Sequence, residues 1–377
     1  MKKTYIIWAM LSGVALCACN RGASFTYEDV ETADTITHHA RYLTIADCGG
    51  GTVRVDIADP WNEGKYLARY ALVARDSVIP SDLDSEVKII RTPVERAAVF
   101  SSVYTEAFNE LGALSSIAAI ADSPYFAKED TITKLIHGGK IADLGSAAAP
   151  SVELMAANGI DVVLRSPQQG MPGAKLPGHI VAVECADYME TSPIGRAEWI
   201  LLLGELTGNR EAAANVFENV IDNYSSLVFE VSGATSPRPK LLAETEYSGV
   251  WYVPQGGSYM ARMYADAGAD WPWSDTEGSG SLSLSLEEVA KKALDADVWL
   301  VRSYGYETTP ATLKALNPRY ANFEAVKNGN IYSCNTEERN IFNVCAFHPD
   351  EVLAEYIAIF HPEVLPDYKL KYFKHTK

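Results

Sequence analysis

Two arginines close two apolar runs in the same manner. In "DVVLRSPQQG", residues 161–170, a Val-Val-Leu strand pattern ends in Arg165-Ser166, and in "DVWLVRSYGYE", residues 297–307, another ends in Arg302-Ser303. Helix-like text precedes both, "SVELMAANG" before the first and "SLEEVAKKAL" before the second, so the two endings occupy equivalent places in a repeated layout. A guanidinium offers a planar fork of donors that suits carboxylate and catecholate oxygens. One arginine past a strand is often half of an ion pair, but two in corresponding positions predict a shared anionic ligand. Aromatic residues gather in the same loops: Tyr247, Trp251, Tyr252 and Tyr259 flank Gly256-Gly257, and Tyr304 and Tyr306 follow Arg302. Clustered exposed rings mark contact surfaces. The predicted ligand rim is therefore Arg165, Arg302, Trp251, Tyr252, Tyr259, Tyr304 and Tyr306, with burial of Trp251 in a core as the competing reading.

Catalytic patterns are missing from the text. There is no Gly-x-Ser-x-Gly elbow, no Gly-x-x-x-x-Gly-Lys-[ST] loop and no His-Glu-x-x-His. Gly49 to Gly51 run on into a strand pattern instead of a helix, which argues against a phosphate loop. No Cys-x-x-Cys occurs, the histidines cluster only as His38-His39, and no side chain is assignable as a metal ligand. The expectation is a binding protein with no cofactor; a lipid-anchored enzyme and a surface scaffold are the rivals from other classes.

The elements that must hold those arginines are legible from periodicity. Residues 41–79 alternate apolar and polar positions, as a β-ribbon does. Strand and helix patterns then alternate, which argues for a parallel sheet with helices on its faces. "IGRAEWILLLGELTG" reads as one helix, and "NREAAANVFENVIDNYSSLVFEVSGA" as a second, long enough to cross from one lobe to another. After "TSPRPK" the α/β pattern resumes. The predicted class is α/β, two Rossmann-like lobes joined by one long bridging helix, with an N-terminal β-ribbon extension. The predicted bounds are 19–40 for a tether, 41–205 for the first lobe with its ribbon, 206–236 for the bridging helix and 237–377 for the second lobe.

Residues 1–18 read as a lipoprotein signal peptide. A basic start, a short apolar stretch and "LCAC" at residues 16–19 match a lipobox, which predicts a diacylglyceryl anchor on Cys19. The chain carries a net charge of −17, and removing the signal takes away Lys2 and Lys3 and no acidic residue. Such a surface does not bind nucleic acid through bulk electrostatics. Four further cysteines, Cys48, Cys185, Cys334 and Cys345, allow three pairings outside the cytoplasm, of which Cys334 with Cys345 closes the short loop.

Over residues 87–362 the sequence resembles the substrate-binding proteins of bacterial ABC importers for iron-siderophores, haem and vitamin B12. "RTPVERAAVFSSVYTEAFNELGALSSIAAIAD", "APSVELMAANGIDVVL", "GELTGNREAA" and "NFEAVKNGNIY" are similar to four segments of that family, in the same order. The resemblance implies a monomeric periplasmic lipoprotein that captures a metal chelate between two lobes and delivers it to an ABC permease and ATPase complex. An iron chelate, a ferric siderophore or haem, is the expected cargo, and cobalamin the alternative. The family docks one carboxylate of each lobe to the permease. Glu106 matches the first position, whereas Arg262 falls at the second, with Asp266 a turn away as a substitute.

Overall fold

The computed structural model describes residues 34–81, 83–125 and 131–377, so the signal peptide, Cys19 and most of the tether lie outside the described residues. Strands β1 (Asp34–Thr35), β2 (Leu43–Asp47), β3 (Thr52–Ala58) and β4 (Tyr66–Ala74) form the expected antiparallel ribbon, and β5 (Val87–Thr92) joins its edge parallel to β4. Gly49, Gly50 and Gly51 all have positive φ, at 74°, 60° and 75°, in the β2–β3 turn. Only glycine takes three such residues in succession without strain, so this triplet builds a hairpin.

A second sheet holds β6 (Ala97–Val99), β7 (Ile117–Ile120), β8 (Ala142–Asp143), β9 (Val162–Arg165) and β10 (Val181–Glu184), all parallel in the order β10-β9-β6-β7-β8. Apolar cores cover both of its faces, as its near-continuous Val, Ile and Ala require. Downstream come β11 (Leu241–Ala243), β12 (Glu246–Tyr247), β13 (Val250–Pro254), β14 (Ser281–Leu284), β15 (Val298–Ser303), β16 (Ile331–Asn335) and β17 (Lys374–Thr376). Of these, β11, β15 and β16 run parallel, β17 adds antiparallel, and β12-β13-β14 form a separate antiparallel sheet.

The helix Arg210–Ser232 packs Ala213, Phe217 and Val220 into the core of the first parallel sheet and Tyr224 and Val231 into that of the second. The stretch before it, read as one helix, is two, Pro193–Ala197 and Ile200–Thr207. The intervening residues are engaged elsewhere. Glu198 accepts the backbone N–H groups of His38, His39 and Ala40 at 2.7, 2.8 and 2.6 Å, and Trp199 donates Nε1 to Glu190 at 3.1 Å. Glu190 also accepts the N–H groups of Arg41 and Tyr42, at 2.8 and 3.0 Å. Burial pushes the Glu190 carboxyl pKa up in spite of these donors.

The ribbon is fastened to the first parallel sheet at a second point. The Tyr70 hydroxyl donates to the Ala182 carbonyl at 2.7 Å and accepts the Glu184 N–H at 3.0 Å, both on edge strand β10. Such cover removes an exposed strand edge. The four cysteines are unpaired: Cys185, Cys334 and Cys345 are buried singly, which corrects the expected Cys334–Cys345 bridge. Among the described residues no helix is long and apolar enough to cross a membrane.

Candidate functional site

In sheets of this kind ligands sit beyond the carboxyl ends of the strands. Here the residues at or just past those ends, Phe100 and Ser101 after β6, Asp122 after β7, Arg165 and Ser166 at β9 and Glu184 on β10, line one cleft of about 730 Å³. The loop 166–174 forms its second wall. Its third comes from the ribbon: the β3–β4 loop brings in Trp61, with Asp59 Oδ1 accepting the N–H groups of Trp61 at 2.9 Å and Asn62 at 3.1 Å to hold the loop.

Arg165 reaches this cleft but is not a bare cation. It gives Nε to Glu184 at 3.0 and 3.1 Å, Nη2 to the same carboxylate at 2.5 Å and Nη1 to the Ala174 carbonyl at 2.9 Å. A guanidinium has five N–H groups, so two of them remain for a ligand. Arg302 is tied in the same style to Glu244, through Nε at 2.5 Å and through Nη2, and its guanidinium lies 5.3 Å from the centre of the Phe342 ring. Burial opposes its charge, yet Glu244 holds its pKa well above the usual arginine range. Glu244 sits in the left-handed region at φ 63°, unusual for a non-glycine residue. The repeated Arg-Ser endings are thus repeated Arg–Glu pairs. Arg302 is absent from the lining of the cleft that Arg165 enters, so the expectation of two guanidiniums facing one space is corrected: each has a carboxylate from the neighbouring strand end.

The aromatic residues divide in two. Trp251 is 0% exposed, packs on Trp299, Tyr320 and Phe323, and donates Nε1 to the Ala243 carbonyl at 2.9 Å. It is a core residue, a correction that follows from strand alternation: Tyr252, next on β13, faces out and is 47% exposed. Tyr304 and Tyr306 are exposed by about half. Tyr304 reaches from β15 to the segment after β7, donating to the Pro124 carbonyl at 2.8 Å and meeting the Tyr125 ring edge-on at 6.5 Å.

Tyr259 starts the helix Tyr259–Asp266 and accepts Arg196 Nη1 at 2.7 Å, with the guanidinium 4.6 Å from its ring centre. Arg196 in turn donates Nε to Asp187 at 3.0 Å, and Asp187 accepts the Tyr104 hydroxyl at 2.8 Å. Burial raises the Tyr259 pKa. This chain, buried from Tyr104 to Arg196, ties the helix Ser102–Glu110 of the first half to the Tyr259 helix of the second.

A second cavity of about 920 Å³ shares Trp61, Gln168 and Gln169 with the first and adds Arg41, Tyr188, Gln255 and Arg262. Of the docking candidates, Glu106 is partly exposed on the helix Ser102–Glu110. Asp266 has a side chain only 12% exposed, receives the Tyr224 hydroxyl at 2.9 Å and Arg262 Nε at 2.8 Å, and is a poor knob for a permease. Sequence reasoning missed Trp61, Glu184 and Glu244. The signal for Trp61 was a hairpin loop, "DPWNEGK", carrying a large ring at its tip. Among the described residues no group of three or more His, Cys, Asp or Glu is placed to hold a metal ion.

Sheets opening carboxyl-end first onto a walled cleft, with a helix packed in both cores, define a two-lobed binding-protein fold. Residues 98–338 match the model of the periplasmic binding protein family, to which this chain belongs. The uncharacterized lipoprotein MJ0878 of Methanocaldococcus jannaschii is 29% identical over an alignment of 354 residues that covers 88% of this chain and 82% of that protein. Among solved structures, a protein of an ABC-type Fe3+-hydroxamate transport system from Saccharomonospora viridis superposes with a TM-score of 0.54 at 19% identity, over 71% of this chain and 93% of that one. A periplasmic heme-binding protein from Pseudomonas aeruginosa does so with a TM-score of 0.56 at 14% identity, over 75% of this chain and 98% of that one.

Proposed function

We propose that this chain is the substrate-binding lipoprotein of an ABC importer, anchored through Cys19, and that it carries an iron chelate, a ferric siderophore or haem, to its permease. The observation that carries the reading is the cleft at the carboxyl ends of β6, β7 and β9. Its 730 Å³ falls in the range of about 300–1,000 Å³ typical of small-molecule sites. Phe100 and Trp61 offer apolar surface there, and Arg165 keeps two N–H groups for ligand oxygens. The Fe3+-hydroxamate and heme named for the two structural neighbours agree with this cargo. Glu106 would contact the permease, and the lobe bounds would follow the two core clusters on either side of the helix Arg210–Ser232.

Cobalamin is the second reading. Glu184 and Glu244 neutralise the two arginines that favour an anionic cargo, and an uncharged corrinoid suits such a cleft.

Titration of the mature lipoprotein in detergent micelles separates these cargoes. Trp199, Trp251, Trp271, Trp273 and Trp299 are at most 3% exposed, which leaves Trp61 as the reporter in the cleft. Saturable quenching by haem or a ferric siderophore at sub-micromolar concentration, reduced in Trp61→Phe, is expected. Quenching by cobalamin alone would replace the cargo, and no response to any of them would refute the reading.

A further inference from the structure

We infer that the N-terminal ribbon completes the ligand site, and that the cavity it forms with both lobes binds a carboxylate-bearing anionic group. The ribbon strands β1 to β5 end at Thr92, before residue 98 where the family match begins, so this wall lies outside the residues that the family model matches. It contributes Trp61 to both cavities and Arg41 to the second, where the helix Tyr259–Asp266 contributes Arg262.

Charge assigns the ligand class. The chain has 49 acidic and 32 basic residues, yet among the described residues the lining of the second cavity holds two arginines and no aspartate or glutamate. The first cavity is the opposite, with Asp59, Asp122 and Glu184 against Arg165. A carboxylate is therefore favoured in the second compartment and disfavoured in the first. Arg262 donates Nε to Asp266, and its side chain remains 64% exposed. The Arg41 guanidinium lies 5.6 Å from the Tyr42 ring centre.

The site is preorganised as well as charged. Glu190 clamps the backbone N–H groups of Arg41 and Tyr42, Glu198 those of the three residues before them, and Tyr70 pins β4 to β10. Fixing the wall in advance lowers the ordering cost of binding. The inference rests on the proposed cargo site only in assigning the anionic group to the cargo. It then selects chelates that carry carboxylates, haem among them, over neutral trihydroxamates and cobalamin.

Citrate, a polycarboxylate without metal, is the probe, titrated into the mature lipoprotein in micelles and followed by Trp61 fluorescence and by calorimetry. Saturable binding is expected, with glycerol inert. Arg41→Gln and Arg262→Gln should each raise the citrate Kd roughly tenfold or more, the worth of one charge-assisted hydrogen bond. They come from different parts of the chain, so a folding defect in one leaves the other as the test. No saturable binding to the wild-type protein, or an unchanged Kd in the folded variants, would overturn the inference. Citrate binding without any response to haem, siderophore or cobalamin would sink the cargo reading and keep the subsite; the reverse pattern would do the opposite.

Discussion

Asp187→Ala tests how the two halves of the molecule are held around the cleft. Asp187 and Arg196 have side chains 2% and 7% exposed and meet at 3.0 Å. Removing the carboxylate leaves a buried guanidinium without its counter-ion, a change that costs about 3–5 kcal/mol. Tyr104 loses a 2.8 Å acceptor but keeps Ser166 Oγ at 2.9 Å, which limits its share. Tyr259 remains against Arg196 through its hydroxyl and its ring, a contact common to both proteins that leaves the difference unchanged. The expected loss is at least about 3 kcal/mol, the low end of that range. With a urea slope of about 1–3 kcal/mol/M or somewhat more for a chain of this size, the midpoint should fall by roughly 1–3 M. Urea unfolding followed by circular dichroism reads this directly. Asp187→Leu combined with Arg196→Met, which removes both charges, should recover most of the loss, because an apolar replacement of a buried pair is near neutral. A single-variant midpoint within about 0.3 M of wild type would refute the claim that this chain of contacts braces the lobes.

Three further outcomes follow from other contacts. His348 pairs with Glu110 at 2.7 Å; burial disfavours its charge, but the Glu110 hydrogen bond and charge outweigh it and raise the pKa above 6.5. A raised histidine stabilises below its unfolded pKa and loses that effect as pH rises through the folded value. Unfolding midpoints should therefore decline as pH rises from about 6.5, and Glu110→Gln should flatten that decline; an unchanged slope would contradict the pairing. The cysteines are unpaired, so dithiothreitol should leave the thermal midpoint unchanged, and under native conditions Cys48, the partly exposed one, should react first with a thiol reagent; a reductant-sensitive midpoint would reveal a disulfide. Arg165→Ala should weaken chelate binding about tenfold or more if its two remaining N–H groups serve the ligand, whereas Arg302→Ala should lower stability, leaving Glu244 without its guanidinium; equal effects of both on affinity would restore the two-arginine cleft.

The fold was legible because its signals are local. Alternation marked the ribbon; in the structure Ser151 and Ser285 cap helices, and Gly159 and Gly208 sit at helix ends with positive φ. The site was legible only in part. Strand endings put Arg165 at the end of β9, where it lies, but nothing in the spacing of Arg165 and Glu184 says that β9 and β10 are neighbours with those residues in register. Glu244 was hidden for the same reason, since β11 lies beside β15 across more than fifty intervening residues. Trp251 misled because a tryptophan near glycines reads as a loop ring, whereas its place on β13 turns it inward and Tyr252 outward. Trp61 went unread because the ribbon's approach to the cleft depends on the clasps from Glu190, Glu198 and Tyr70, all long-range.

The most direct test of the account is where iron sits. Crystals of the protein grown with haem or with the ferric siderophore that saturates it, measured at the iron absorption edge, give the metal position without reference to the side chains. An anomalous peak in the cleft between Phe100, Arg165 and Trp61, continuous with density toward Arg41 and Arg262, is the predicted result. A peak on the outer surface, or an empty cleft at saturating chelate, would contradict it.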